Sequence, residues 1–182
     1  MLWPFNRRGT SPTPSRSTIE AIYGMIVAQA REPLFYQGLG VPDTVNGRFD
    51  MVVLHLWMVL RRLRAASEGP ALAQAVFDRF CDDMDDNLRE MGVSDVGVPR
   101  KMKAFGEAFY GRGMAYDKAL EAGGSALSQA LARNILNSEE AAAGEPLAAY
   151  ARRAIAGLAA AADETLTAGR IAFPAPAGEG GA

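Results

Sequence analysis

One short segment, residues 51–60, constrains this chain more than any other. Its sequence is MVVLHLWMVL, which is apolar except for His55, the one histidine of the chain. A helix that is apolar on every side has to be covered on every side. Ten helical residues extend about 15 Å, roughly half of a bilayer core, so the segment is too short to span a membrane. It is therefore either the central helix of a bundle or a helix that leaves one face open for an apolar partner.

The spacing of the apolar residues predicts an all-α fold, because no segment shows the alternation that is typical of a strand. Periodicity, capping residues and helix-starting prolines predict helices at about 18–31, 47–66, 69–91, 99–120, 126–137 and 146–168. Short connections favour antiparallel neighbours. We therefore expect a single-domain bundle of about six helices over residues 17–170, with a disordered lead over 1–16 and a disordered tail over 171–182.

Composition excludes several classes of function. The net charge is −2, and no basic stripe with interleaved aromatic residues is present, so we expect no nucleic-acid binding. Cys81 is the one cysteine, which rules out an intrachain disulfide, and its place beside the apolar stripe predicts an inert thiol. No Cys-x-x-Cys-His motif is present, so haem is not attached covalently. We expect no cofactor and no resident metal.

The third predicted helix carries the densest cluster of charge. Asp78, Asp82, Asp85 and Asp86 share one helical face, and Asp83 lies among them. Three interpretations stay open. The face is simply solvated, or it meets a basic segment, either of a partner or of the chain's own residues 100–103, or it holds a metal.

His55 also allows more than one interpretation. It is a buried, hydrogen-bonded structural residue, a contact for a ligand or partner, or a catalytic base oriented by an acid such as Asp82. The last of these would make the chain a small helical enzyme or metal-binding protein that uses His55 and the carboxylates of the third helix. A further alternative is a scaffold that forms oligomers through its apolar helix.

The motifs around this histidine resemble those of the ubiquinol–cytochrome c chaperone family. The central motif is Leu54-His55-x-Trp57-Met58, followed by Arg62-Leu63. The resemblance covers residues 34–137 and depends on the order and spacing of further short motifs, namely Phe35-Tyr36, Val41-Pro42-Asp43-Thr44, Met91-Gly92-Val93, Phe109-Tyr110, Tyr116-Asp117, Ala126-Leu127, Arg133-Asn134 and Asn137.

The resemblance implies a non-enzymatic assembly chaperone. Members of the family bind newly made cytochrome b and help it to enter the ubiquinol–cytochrome c reductase. Mitochondrial members also work with a small helical partner near the ribosomal tunnel exit. The chain is similar to a bacterial-type member, which would act in the cytoplasm at the inner membrane, or on the matrix side if it is eukaryotic. Peripheral association with that membrane is expected.

The partner surface is expected on the second, third and fourth predicted helices. Apolar and methionine side chains there would cover an apolar client segment, and the acidic face would meet the basic loops of a membrane protein. The candidate contact residues are Arg48, Phe49, Met51, His55, Trp57, Met58, Arg62, Asp78, Asp82, Asp83, Asp85, Asp86, Tyr110, Arg112 and Tyr116.

Overall fold

A computed structural model describes residues 13–176, and this part of the chain contains helices and no strand. The predicted all-α fold is therefore confirmed. Parts of the predicted lead and tail fall outside the described range. In chain order the elements are α1 (Arg16–Ala30), α2 (Pro33–Gln37), α3 (Val45–Ala65), α4 (Gly69–Glu90), α5 (Val98–Ala122), α6 (Ala126–Leu131) with a π-helical turn (Ala132–Leu136), α7 (Ala141–Ala160) and α8 (Asp163–Thr167).

Helix α3 is the central element and is enclosed by its neighbours. It packs against α1, α4, α5, α7 and the π-helical turn. Every residue of the apolar segment 51–60 is buried except Val52, which is half-buried. Burial of these side chains stabilises the fold by roughly 25 cal/mol for each Å² of apolar surface that is removed from water. The segment is therefore the core of the bundle, and the alternative of an open apolar face on α3 is wrong.

The first long helices lie close to their predicted bounds, and the short helix α2 lies between two of them, where no helix was predicted. Ser15 caps α1, because its side chain accepts a hydrogen bond from the Thr18 backbone N–H, so the helix begins slightly before the predicted residue. Thr44 caps α3 by accepting from the Gly47 N–H. Helix α4 begins at Gly69, where a Cβ would lie 1.9 Å from the Leu63 carbonyl oxygen. Only glycine allows this close approach of the two chain segments.

The second half of the chain departs further from the prediction. The helix expected over 126–137 ends as an α-helix at Leu131 and continues as a π-helical turn, which Asn137 closes with a left-handed backbone. Helix α7 begins at Ala141, so Pro146 lies inside the helix and does not start it. The predicted end at 168 is also wrong, because α7 stops at Ala160 and residues 163–167 form the separate helix α8.

The segment after α8 also differs from its prediction of disorder. Ile171 is buried, and Phe173 packs against the hydrophobic core. The Pro174 carbonyl accepts a hydrogen bond from the Gln29 side chain of α1. Residues 171–176 therefore lie on the bundle, held by an apolar anchor that composition alone did not reveal. Across residues 13–176, none of the helices combines the length and the hydropathy that a bilayer crossing requires.

Candidate functional site

An aromatic layer joins α3, α4 and α5. The Phe49 ring of α3 stacks on Phe105 of α5, with centroids 4.9 Å apart, and lies 6.3 Å from Phe80 of α4. Phe77 continues the layer, with its centroid 5.0 Å from Phe109. Offset aromatic pairs of this kind each stabilise a contact by about 1 kcal/mol beyond the area they bury. The layer fixes the position of α5 on the other two helices.

One edge of this layer is open to solvent. Tyr110 lies 5.9 Å from Phe77, centroid to centroid, and 56% of its surface is exposed. Met114, one helical turn later, is 72% exposed. We call the surface formed by Tyr110 and Met114 of α5, together with Phe77 of α4, the α5 face. An aromatic ring beside a flexible thioether is a surface that adapts to apolar partners.

A charged pair lies on the inner side of α5. Arg112 Nη2 is 2.7 Å from Asp50 Oδ1 of α3, and the guanidinium also lies over the Phe49 ring, 5.8 Å from its centroid. Burial raises the pKa of Asp50 to about 6, although the positive charge of Arg112 acts in the opposite direction. Arg112 therefore anchors α5 to α3 and does not face a partner.

The acidic side chains of α4 divide into two groups. Asp83 accepts a hydrogen bond from the Tyr23 hydroxyl and lies 3.7 Å from Arg79, while Asp85 pairs with Arg89 at 2.5 Å. The other group, consisting of Asp78, Asp82 and Asp86, is exposed and lines a groove between α1 and α4 together with Arg16, Ile19, Glu20, Ala75 and Arg79.

Arginines of α4 itself therefore pair with the acidic cluster. The suggested partners from the chain's own residues 100–103 are not within ion-pair distance of it, since Lys103 pairs instead with Glu107 at 3.7 Å. Among the described residues, no group of three or more His, Cys, Asp or Glu side chains is arranged to hold a metal ion. The three exposed aspartates are therefore the acidic side chains of α4 that are open to contact by a basic partner.

His55 is fully buried and is part of a hydrogen-bonded network. Its Nδ1 lies 2.7 Å from the Met51 carbonyl oxygen and its Nε2 lies 2.7 Å from the Tyr150 hydroxyl. The rings of Phe35 and Phe173 pack edge-on against the imidazole. Burial lowers the pKa of His55 to about 4. The enzyme hypothesis required His55 in a cleft beside Asp82, and that arrangement is not formed.

The structure moves several other predicted contact residues into the interior. Met51, Trp57, Met58 and Tyr116 are each at most 3% exposed. The expectation that these residues and His55 line a partner surface is therefore corrected, because the bundle itself covers them.

Two of the predicted contact residues have structural partners. Arg62 of α3 donates hydrogen bonds to the Leu158 and Ala161 carbonyls at the end of α7 and to Asp163. Arg48, near the start of α3, is exposed, and its Nε lies 2.7 Å from Oδ1 of Asp43. Both side chains hold local structure. Of the predicted set, Tyr110 and the three exposed aspartates stay available to a partner.

The sequence reasoning missed Met114 as a surface residue. It follows Tyr110 by four residues, the spacing that places two side chains on one helical face. That spacing was the available signal.

Cys81 is half-buried against the core, and burial raises the pKa of its thiol, as an unreactive cysteine requires.

Comparison with known proteins gives a consistent set of relatives. The chain is 28% identical over 106 residues to the ubiquinol-cytochrome-c reductase complex assembly factor 1 of Xenopus laevis, which covers 58% of this chain and 53% of the relative. It is 23% identical over 159 residues to the Drosophila melanogaster protein of that name, covering 81% and 61% of the two chains. The chain thus spans little more than half the length of these curated relatives.

A solved structure extends the similarity to the fold. The crystal structure of the Cbp3 homolog from Brucella abortus is 40% identical to this chain, covers 88% of it and 90% of its own length, and superposes with a TM-score of 0.78. The family model described as ubiquinol-cytochrome C chaperone matches residues 37–173, from the end of α2 to the segment that packs on His55. This chain belongs to the ubiquinol–cytochrome c chaperone family.

Proposed function

We propose that this chain is an assembly chaperone for the ubiquinol–cytochrome c reductase and that its client is newly made cytochrome b. The observation that carries the proposal is the family match over residues 37–173, which includes the four longest helices. The names of the relatives point to assembly of that complex. We assign the chain a binding function and no catalytic step.

The α5 face is the surface that we assign to the client. Because α3 is enclosed, an apolar client segment has to meet side chains on the outside of the bundle. Tyr110 and Met114 are the exposed large apolar residues along the side of α5. Interface contacts of aromatic residues and methionine commonly carry a large share of the binding free energy. The α5 face would therefore cover an apolar segment of the client.

The exposed aspartates of α4 supply a second contact. Cytoplasmic loops of membrane proteins carry an excess of Lys and Arg. Such a loop would contact Asp78, Asp82 and Asp86. The attraction between the opposite charges would steer association and would weaken as the salt concentration rises. This arrangement fits action at the cytoplasmic side of an inner membrane, or at the matrix side in a mitochondrion. A small helical partner or a ribosome contact stays a prediction from the family resemblance.

Capture of the client from a translation reaction tests the proposal. Cytochrome b is synthesised with detergent micelles, and the tagged full chain is used to recover it. Tyr110→Ala combined with Met114→Ala should reduce recovery at least tenfold, because two exposed anchors are lost. Leu34→Ala, which removes an exposed apolar residue on α2, is the matched control and should leave recovery unchanged.

A genetic experiment tests the same proposal in the native host. Deleting the gene should lower the haem absorbance of cytochrome b and the amount of assembled reductase. Restoring the wild-type chain should recover both, and the doubly substituted chain should not. Normal levels of cytochrome b and reductase in the deletion strain would overturn the proposal.

A further inference from the structure

The groove between α1 and α4 carries a net negative charge. Four of the side chains that line it are carboxylates and two are guanidinium groups. Inside the groove, Glu20 pairs with Arg79. In the described part of the chain, none of the three exposed aspartates of α4 lies within ion-pair distance of a basic side chain. Arg16 is the second base of the groove, so an excess of two negative charges stays on this open surface.

Apolar side chains belong to the same groove. Ile19 of α1 and Ala75 of α4 are both half-buried there. An arginine packs its methylene groups on a surface of this kind while its guanidinium group donates hydrogen bonds to a carboxylate. The groove therefore suits a chain segment that carries arginines.

The described part of the chain starts beside this groove. Arg16, the first residue of α1, lines it, and the side chain of Ser15 caps this helix start. Residues 1–12 consequently join the bundle close to the three aspartates. They contain Arg7 and Arg8 and no acidic residue. The charge of this segment is thus opposite in sign to that of the groove and similar in size.

Helices α1 and α4 run in the same direction along the groove. Glu20 pairs with Arg79, and the Tyr23 hydroxyl, one turn further along α1, donates to Asp83, one turn further along α4. Residues 1–12 therefore approach from the N-terminal side of both helices. To follow the groove, the segment has to turn back.

The segment is long enough for such a turn. Arg8 precedes Arg16 by eight residues, which extend up to about 27 Å. The three aspartates span only about 12 Å along the axis of α4. Gly9 and Pro12 lie between the two arginines, and both residue types are favoured in turns. The length and composition of the segment therefore allow its arginines to reach the aspartates.

We propose that residues 1–12 bind in the groove between α1 and α4 through Arg7 and Arg8, and that they compete there with basic segments of other molecules. One exposed ion pair is weak by itself. The covalent tether, however, holds the segment at an effective concentration of about the millimolar range, so it competes with every basic segment that arrives separately. That one such competitor is a loop of the client rests on the proposed function, whereas the docking of residues 1–12 does not.

Paramagnetic NMR of the full chain tests the docking. A nitroxide is attached at Asn6→Cys in the Cys81→Ser background, which leaves one thiol for the label. At low salt, the amide signals of residues 75–86 should broaden, because the label is held beside α4. Arg7→Gln combined with Arg8→Gln should reduce this relaxation enhancement at least threefold, since the charges that hold the segment are removed.

Lys101→Gln combined with Lys118→Gln is the matched control, because it removes the same charge from exposed positions of α5 outside the groove. It should leave the broadening unchanged. Equal broadening in the control and in the Arg7→Gln/Arg8→Gln chain would overturn the proposal. So would broadening that passes from a nitroxide-labelled chain to a separate isotope-labelled chain, because the segment would then bind a second copy.

Binding of a fluorescein-labelled tetra-arginine peptide tests the competition. The Arg7→Gln/Arg8→Gln chain should bind it at least threefold more tightly than the matched control does. Replacing Asp78, Asp82 and Asp86 by Asn should abolish this difference, because the groove then attracts neither segment. Equal affinities of the first two chains would overturn the proposal. The peptide stands in for a basic loop, so the result is independent of whether cytochrome b is the client. Circular dichroism of each variant verifies the fold.

Discussion

The Nε2 atom of His55 lies 2.7 Å from the hydroxyl oxygen of Tyr150, and this contact joins α3 to α7 inside the bundle. The Met51 carbonyl can only accept, so His55 Nδ1 carries the proton and Nε2 accepts from the hydroxyl. The same hydroxyl oxygen accepts from Gln29 of α1 at 3.1 Å. Three helices are therefore connected through one satisfied polar network, which a buried imidazole requires.

Replacing His55 should destabilise the fold. His55→Ala removes a ring that packs on Phe35 and Phe173 and leaves the Tyr150 hydroxyl without its acceptor. We expect a loss of about 3 kcal/mol in the free energy of unfolding, measured by urea denaturation. Lys118→Ala, an exposed helical substitution on α5, is the control and should change it by less than about 0.5 kcal/mol. Equal midpoints for both variants would contradict the structural role.

The pH dependence of stability should contain two opposing contributions. Burial raises the pKa of Asp50 from 3.8 to about 6, so the folded chain binds this proton more tightly and the free energy of unfolding falls as pH rises from about 4 to 6. Burial lowers the pKa of His55 from 6.5 to about 4, so the unfolded chain binds that proton more tightly and the free energy rises across the same window. Each contribution amounts to roughly 3 kcal/mol.

Single substitutions should separate these contributions. Asp50→Asn leaves the His55 contribution, and its stability should rise with pH between 4 and 6. His55→Gln leaves the Asp50 contribution, and its stability should fall. Urea denaturation at several pH values measures the slopes. Profiles that stay parallel for the two variants and the wild type would show that neither group titrates as its burial implies.

Two glycines of α7 should respond in opposite directions to the same substitution. A Cβ at Gly144 would lie 2.1 Å from the Ser128 carbonyl oxygen, so Gly144→Ala forces α7 away from α6 and should cost at least about 2 kcal/mol. A Cβ at Gly157 meets nothing within 4 Å. Gly157→Ala should therefore stabilise the helix by about 0.5–1 kcal/mol. Thermal unfolding followed by circular dichroism measures both, and a gain in melting temperature for Gly144→Ala would contradict the close contact.

Neighbouring aspartates of α4 should differ in their effect on stability. Asp83→Ala leaves the buried Tyr23 hydroxyl without its acceptor and removes a partner of Arg79, which should cost about 1–2 kcal/mol. Asp82→Ala should change stability by less than about 0.5 kcal/mol, because Asp82 is exposed. Adding Tyr23→Phe to Asp83→Ala should recover part of the loss. Independent, additive effects of these two substitutions in a double-mutant cycle would exclude the hydrogen bond as the cause.

The local signals predicted the first half of the fold well. Gly69 and Pro70 mark the start of α4, and only His55 interrupts the apolar run of α3, so the signals that predict these two helices lie in their own sequences. The end of α7 depends on Arg62, which lies almost one hundred residues earlier and draws the Leu158 and Ala161 carbonyls to itself. A helix end that is made by a distant side chain leaves no mark in the helix's own sequence.

The candidate surface was predictable only in part. The sequence alone identifies Tyr110 and the spacing of the acidic residues on α4 as candidates. It does not show that Asp83 accepts a hydrogen bond from Tyr23 or that Asp85 pairs with Arg89. Trp57 and Met58 were assigned to a surface because an apolar helix can be covered by a partner or by its own fold. Which of these covers it depends on how α1, α5 and α7 pack around it, and that is a property of the whole chain.

The enclosure of α3 has a consequence for turnover. A carrier that exposed its interior to hold a client would have to refold after each release, and it would be open to proteases and self-association meanwhile. Under the proposed function the interior of this chain stays closed while its outer surfaces bind the client. Each cycle would then end in the state in which it began, and the contact surface alone would determine the dwell time of the client.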